Sequence, residues 1–124
     1  MSPSSLVQQA LRTALAPLGR VYDAVPPDAA LPYLTVGPDL VSDWSTKTSQ
    51  GREHRVSVGV WDDAPALARV RALLGAVDAA VRPIAASANG WRIAHVLFVR
   101  SFVIRDPEGL HHGVADFRIR TEEI

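Results

Sequence analysis

Four histidines and a few short carboxylate groupings are all that this 124-residue chain offers for acid–base or metal chemistry. His111 and His112 adjoin each other close in sequence to Asp116, the nearest approach to a metal-ligand cluster. Neighbouring side chains on a strand or turn point in opposite directions, so these two imidazoles cannot easily share an ion, and the pair reads as an exposed hairpin end. His54 and His95 are single strand histidines without an acid or nucleophile at a diagnostic spacing. Each reads as a partner-bonded or half-exposed sheet residue before it reads as a catalyst. Asp62-Asp63 resembles a carboxylate pair, but it stands directly before a proline-led helix, where capping and dipole compensation account for it. No phosphate-cradling glycine loop, nucleophile elbow or metal motif of recognised spacing occurs. Cysteine is absent, which removes disulfides, thiol nucleophiles and Cys-type zinc sites. No catalytic residue, cofactor or metal is therefore expected. An enzyme or ligand-binding domain would have to use His54, His95 or Asp116, and would need a deep pocket with converging polar groups.

Recognition chemistry is better represented. Between the β-type run Tyr33 to Val36 and the alternating run His54 to Trp61 lies a polar connection, Asp39 to Arg52, longer than compact domains usually need. Trp44 in its middle argues against disorder and suits either of two roles, folding back over the core or anchoring a partner. Asp43, Lys47 and Arg52 flank it and could meet charges on a neighbour or remain solvated. The connection reads as a contact arm.

The elements that must position this arm follow from periodicity. Ser4 to Leu18 carries an apolar stripe of Leu6, Leu11, Leu15 and Leu18 and reads as a helix ended by Pro17 and Gly19. Val21 to Ala24 reads as a short strand. In the run His54 to Trp61, His54, Val56, Val58 and Val60 alternate with Arg55, Ser57, Gly59 and Trp61, the pattern of a half-buried strand. A second helix is expected after Asp63 with Pro65 in its first turn and Pro83 as its stop. Trp91 to Ile104, a turn at Asp106 to Gly109, and Val114 to Thr121 form a long hairpin. The order predicts an α+β fold, a mostly antiparallel or mixed sheet with both helices packed on one face, in a single domain spanning 1–124.

The Ile93 to Ile104 strand is apolar on both parities, with Leu97 and Val99 on one and Phe98 and Phe102 on the other, so both sheet faces want cover there. A homo-oligomer supplies it; a bulge at Arg100-Ser101 that swaps parity is the other explanation. Formal net charge is zero and no like-charge run occurs, which gives neither nucleic acid nor an anionic membrane an electrostatic hold. The N-terminal stretch lacks a basic start and an unbroken apolar run, so no signal peptide or membrane span is expected.

The runs PYLTVG, DWSTKTSQGREHRVSVGVWDD and HHGVADFRIRTEE, in this order and spacing, resemble the small tail completion proteins, or tail terminators, of long-tailed phages and gene transfer agents. That resemblance implies a structural α/β subunit, not an enzyme, that forms a hexameric ring on the head-proximal end of the tail tube. Such a ring ends tube polymerisation and offers the surface to which the filled head attaches. The implied partners are further copies of the chain, the tail tube protein and a head–tail connector or stopper. DNA would pass only through the lumen, and the location would be the virion, after assembly in the bacterial cytoplasm. A head-closure or connector subunit of the same particle is the alternative. On this footing Asp43, Trp44, Lys47 and Arg52 are expected to touch the tube or the adjacent subunit, Phe98 and Phe102 to line the ring interface, and Arg118 and Arg120 either to face the lumen or to pair with Asp116 and Glu122.

Overall fold

The computed structural model describes residues 2–124 and contains two α-helices and a mostly antiparallel, strongly curled mixed sheet. Helix α1 (Pro3–Leu15) is capped by the Ser2 hydroxyl, which accepts from the Ser5 amide, and it tightens into a 3-10 turn over Ala16–Leu18. The strands are β1 (Val21–Tyr22), β2 (Tyr33–Val36), β3 (Leu40–Asp43), β4 (Gly51–Asp62), β5 (Ser87–Ala88), β6 (Trp91–Arg105) and β7 (His111–Glu123). Helix α2 (Ala68–Val81) sits between β4 and β5. The sheet order is β1-β2-β4-β7-β6-β5, with β3 added to β4 beside β2, and among the described residues only the β1–β2 pair is parallel.

Alternation on the two central strands decides which side chains meet the helices. Val56, Val58 and Val60 of β4 and Ala115, Phe117 and Ile119 of β7 join Val7, Leu11 and Leu15 of α1 and Val70, Leu74, Val77 and Val81 of α2 in one buried cluster. Gly113 allows the closest approach: a β-carbon there would come within 3.0 Å of Val70 and 3.1 Å of Leu74. The alternate side chains of β4 and β7, from Glu53 to Trp61 and from His112 to Glu122, lie on the opposite face.

Several expectations are corrected. The polar connection contains a strand, β3, and β4 begins at Gly51 rather than His54, so the arm is a β-hairpin with a short tip instead of a loop. Strand β1 stops at Tyr22. Helix α2 starts at Ala68, not at Pro65, because Asp62 is still the last residue of β4 and the chain needs the following residues to turn off the sheet. Asp62 and Asp63 do not cap that helix; Arg69 of α2 bonds both carboxylates, donating to Asp62 from Nε at 2.8 Å. On β6 the register shifts twice, between Ile93 and His95 and between Phe98 and Arg100. Phe98 therefore lies with Phe117 on the core side while Phe102 lies with Val114 on the other, although simple alternation puts both phenylalanines on one face.

Candidate functional site

The face of β4 and β7 that does not join the core cluster carries nearly every group the sequence suggests for recognition. Its centre is a chain of ion pairs. Ser57 donates to Asp116 at 2.6 Å, and Arg100 reaches the other Asp116 oxygen at 2.7 Å. Further along, Glu53 stands between Arg120 at 3.1 Å and Arg118 at 3.7 Å, with Arg55 at the edge of contact at 4.0 Å. Arg118 and Arg120 thus pair with Glu53, not with Asp116 and Glu122, which are engaged by Arg100 and Arg92. Nε of Arg118 is buried without a hydrogen-bond partner.

Trp44 closes this row. Its amide donates to the Gly51 carbonyl at 2.9 Å, which brings the indole back over the sheet, with the Arg120 guanidinium 5.0 Å from the ring centroid and His95 edge-on at 5.6 Å. Glycine is required at 51, because a β-carbon there would collide with the Trp44 carbonyl and come within 3.0 Å of its ring. Trp44 is half-buried and lies outside the core cluster. Asp43 and Arg52 face each other across the hairpin, and the Ser45 hydroxyl, donating at 2.6 Å, holds the Asp43 carboxyl below its ordinary value with help from Arg52. Lys47 stands apart at the exposed tip, where the Thr46 amide donates to the Ser49 carbonyl.

At the far end of the same face is an aromatic ladder. Trp61 stacks on His112 with centroids 3.7 Å apart and on Tyr33 at 6.4 Å. Burial pushes the His112 imidazole below its ordinary value. His111 points the other way and is buried with Nδ1 unpartnered, so the expected exposed hairpin end is corrected. The rim is apolar: Leu40 of β3 is 68 % exposed, and Leu97, Phe102 and Ile104 of β6 stand on the same face. Between the rims runs a groove of about 420 Å³ lined by Leu40, Arg55, Ser57, Val99, Arg100 and Asp116, among others.

One arrangement has the outline of an acid–base relay. His54 places Nδ1 2.9 Å from Asp39 and Nε2 2.9 Å from the Thr121 hydroxyl. His54 and Thr121 are both fully buried, on the core side of the sheet, so no substrate reaches the imidazole; the three residues tie the β3 end of the hairpin to β4 and β7. The sequence does not disclose the partners, which are 15 and 67 residues away from His54. Glu53, the hub of the arginine cluster, and the two exposed β3 side chains Leu40 and Val41 also escape sequence reasoning; alternation from Val60 back through Val56 would have put Glu53 on the arginine side.

Residues 5–122 match the family of the tail completion protein gp17. The chain belongs to that family. It is accordingly a structural protein of a tail, in a virion or virion-like particle. A chain in the solved "Virion of native gene transfer agent (GTA) particle" is 31 % identical, with a TM-score of 0.80 over 98 % of this chain and 95 % of that one. No curated relative matches. No described helix is long and apolar enough to cross a membrane.

Proposed function

We propose that this chain, acting as a single domain, completes a phage-type tail by capping the head-proximal end of the tube as a ring. The cap ends tube polymerisation and presents the site at which the filled head joins. Family membership over residues 5–122 carries this reading. The likeness to a chain of a gene transfer agent virion supports it. The face of β4 and β7 opposite the core cluster is left to neighbours. That face has the composition of an interface, with an aromatic and arginine centre and an apolar rim. Trp44 on Arg120 is its anchor, and Phe98 lies at the edge of α2, where Arg82 stands 5.5 Å from its ring.

Electron microscopy of purified chain mixed with growing tail tubes tests the proposal. The expected result is added density on one end of each tube and arrested elongation. Tubes that keep growing, with bare ends at saturating chain, would contradict it.

A further inference from the structure

Nine large apolar side chains stand exposed among the described residues, and seven of them lie on only two strands, two on β3 and five on β6. Both strands are sheet edges. Among the described residues β3 pairs with β4 and with nothing else, and β5 covers β6 only at Trp91 and Arg92. The Ile93 amide still finds the Ala86 carbonyl, but beyond it β6 has a partner on one side only as far as Arg105. Six consecutive residues, Leu97 to Phe102, are exposed in the middle of this strand. Edges are ordinarily guarded by lysine, proline or a covering element. Neither β3 nor β6 contains lysine or proline, and the arginines of β6, Arg92, Arg100 and Arg105, leave Ile93 to Val99 without a formal charge. The two bulges of β6 blunt it locally and leave His95 to Phe98 in regular register between them.

The two edges also match in direction and height. Three antiparallel steps separate β3 from β6 through β4 and β7, so β3 runs antiparallel to β6. A second copy set beside the first in the same orientation therefore presents its β3 antiparallel to the open β6 edge. Cross-strand partners form the row Leu40, Arg55, Arg118, Leu97, and the next row is Ser42, Glu53, Arg120, His95. The neighbour's Leu40 thus arrives at the level of Leu97, apart from the stagger that closure imposes, with both side chains on the groove face.

We propose that copies of this chain join edge to edge, β6 of one taking β3 of the next as an added antiparallel strand, with Leu40 packed beside Leu97. The contact joins two different edges, so it is heterologous and propagates to a closed ring once the curl of the sheet brings the last copy to the first. It specifies the subunit contact of the ring proposed above and rests on that reading.

Because the chain has no cysteine, crosslinking tests the contact cleanly. Leu40→Cys and Leu97→Cys are made singly and together, assembled on tail tubes, and treated with a short bis-maleimide. Ser42→Cys with His95→Cys serves as a second pair in the adjacent row should either leucine variant fold poorly. The expected result is covalent dimer from the mixed single variants, a ladder from the double variant, and monomer from either single variant alone. Dimer from Leu97→Cys alone would indicate a two-fold β6–β6 contact and overturn the proposal. A ring seen on tubes without any ladder from either pair would overturn it too, leaving the capping reading intact. Bare tubes without crosslinks would remove both.

Discussion

The two faces of the β4–β7 ribbon are built from alternate residues of the same strands, yet they share almost no chemistry. One face is Val56, Val58, Val60, Ala115, Phe117 and Ile119, fully enclosed with the helices. The other is Glu53, Arg55, Ser57, Asp116, Arg118 and Arg120, linked by charge and roofed by Trp44. Enclosed apolar area stabilises by about 25 cal/mol per Å², whereas exposed ion pairs contribute about 0–1 kcal/mol each. The first face therefore holds the fold and the second contributes little to it, which leaves the second free to be selected for contacts. On the proposed reading this charged and aromatic surface with its apolar rim offers anchors that gain strength when water is excluded.

Substitutions on the two faces should separate folding from assembly. The largest effect is expected from Phe117→Ala, which empties a fully buried ring position and should cost about 3–5 kcal/mol in denaturant unfolding. A loss below about 1 kcal/mol would mean that the enclosed face is not what holds the molecule together. Next is His54→Ala, which strands the Asp39 carboxylate and the Thr121 hydroxyl; a loss of about 2–4 kcal/mol is expected, with hydrogen exchange increasing first in β3. Trp44→Ala should cost only about 0.5–2 kcal/mol, the range of an arginine–aromatic contact, and should abolish tube-end binding. Unfolding of that variant would instead make Trp44 part of the fold.

Much of this division is legible in the chain. The alternation from Val56 to Val60 and from Ala115 to Ile119 is strong because one parity is wholly enclosed, and the same parity extended back from Ala115 through Gly113 reaches the buried His111. β3 is not legible, since Leu40 to Asp43 is exposed on both sides and becomes a strand only by pairing with β4. The bulge anticipated at Arg100-Ser101 is found one step earlier, between Phe98 and Arg100, and the shift near Ile93 has no local signal because bulges answer to the partner strand. At the candidate site, the positions of Arg118 and Arg120 on a polar face follow from residue type and parity, whereas the sequence leaves Trp44 between the core and a partner. The hub Glu53 and the partners of His54 are set by cross-strand register, which a single sequence does not state.

A smaller effect comes with acid. Burial works most strongly against the Asp62 charge, but the Arg69 hydrogen bond and charge together with backbone hydrogen bonds from Ala64 and Asp63 outweigh it, so the folded carboxyl is held below its ordinary 3.8. The unfolded chain then binds the proton first, so this contribution is present above about pH 3.8 and lost as pH falls through the lower folded value. In Asp62→Asn the acid limb of stability against pH should flatten; an unchanged limb would show that the pair is idle in solution. Smallest for folding is Phe102→Lys on the open face, expected to change stability by no more than about 0.5 kcal/mol. Its size-exclusion profile with tubes should show the variant entirely in the free fraction, and retention on tubes would take Phe102 out of the interface.

Hydrogen exchange of the free chain against the chain bound to tube ends reads both faces in one experiment. Amides of Leu40–Asp43 and of Ala94–Leu97 should gain protection on assembly, while those of α1 and α2 stay as they are. Protection gained on the helices with β3 and β6 unchanged would contradict the assignment of the open face to assembly.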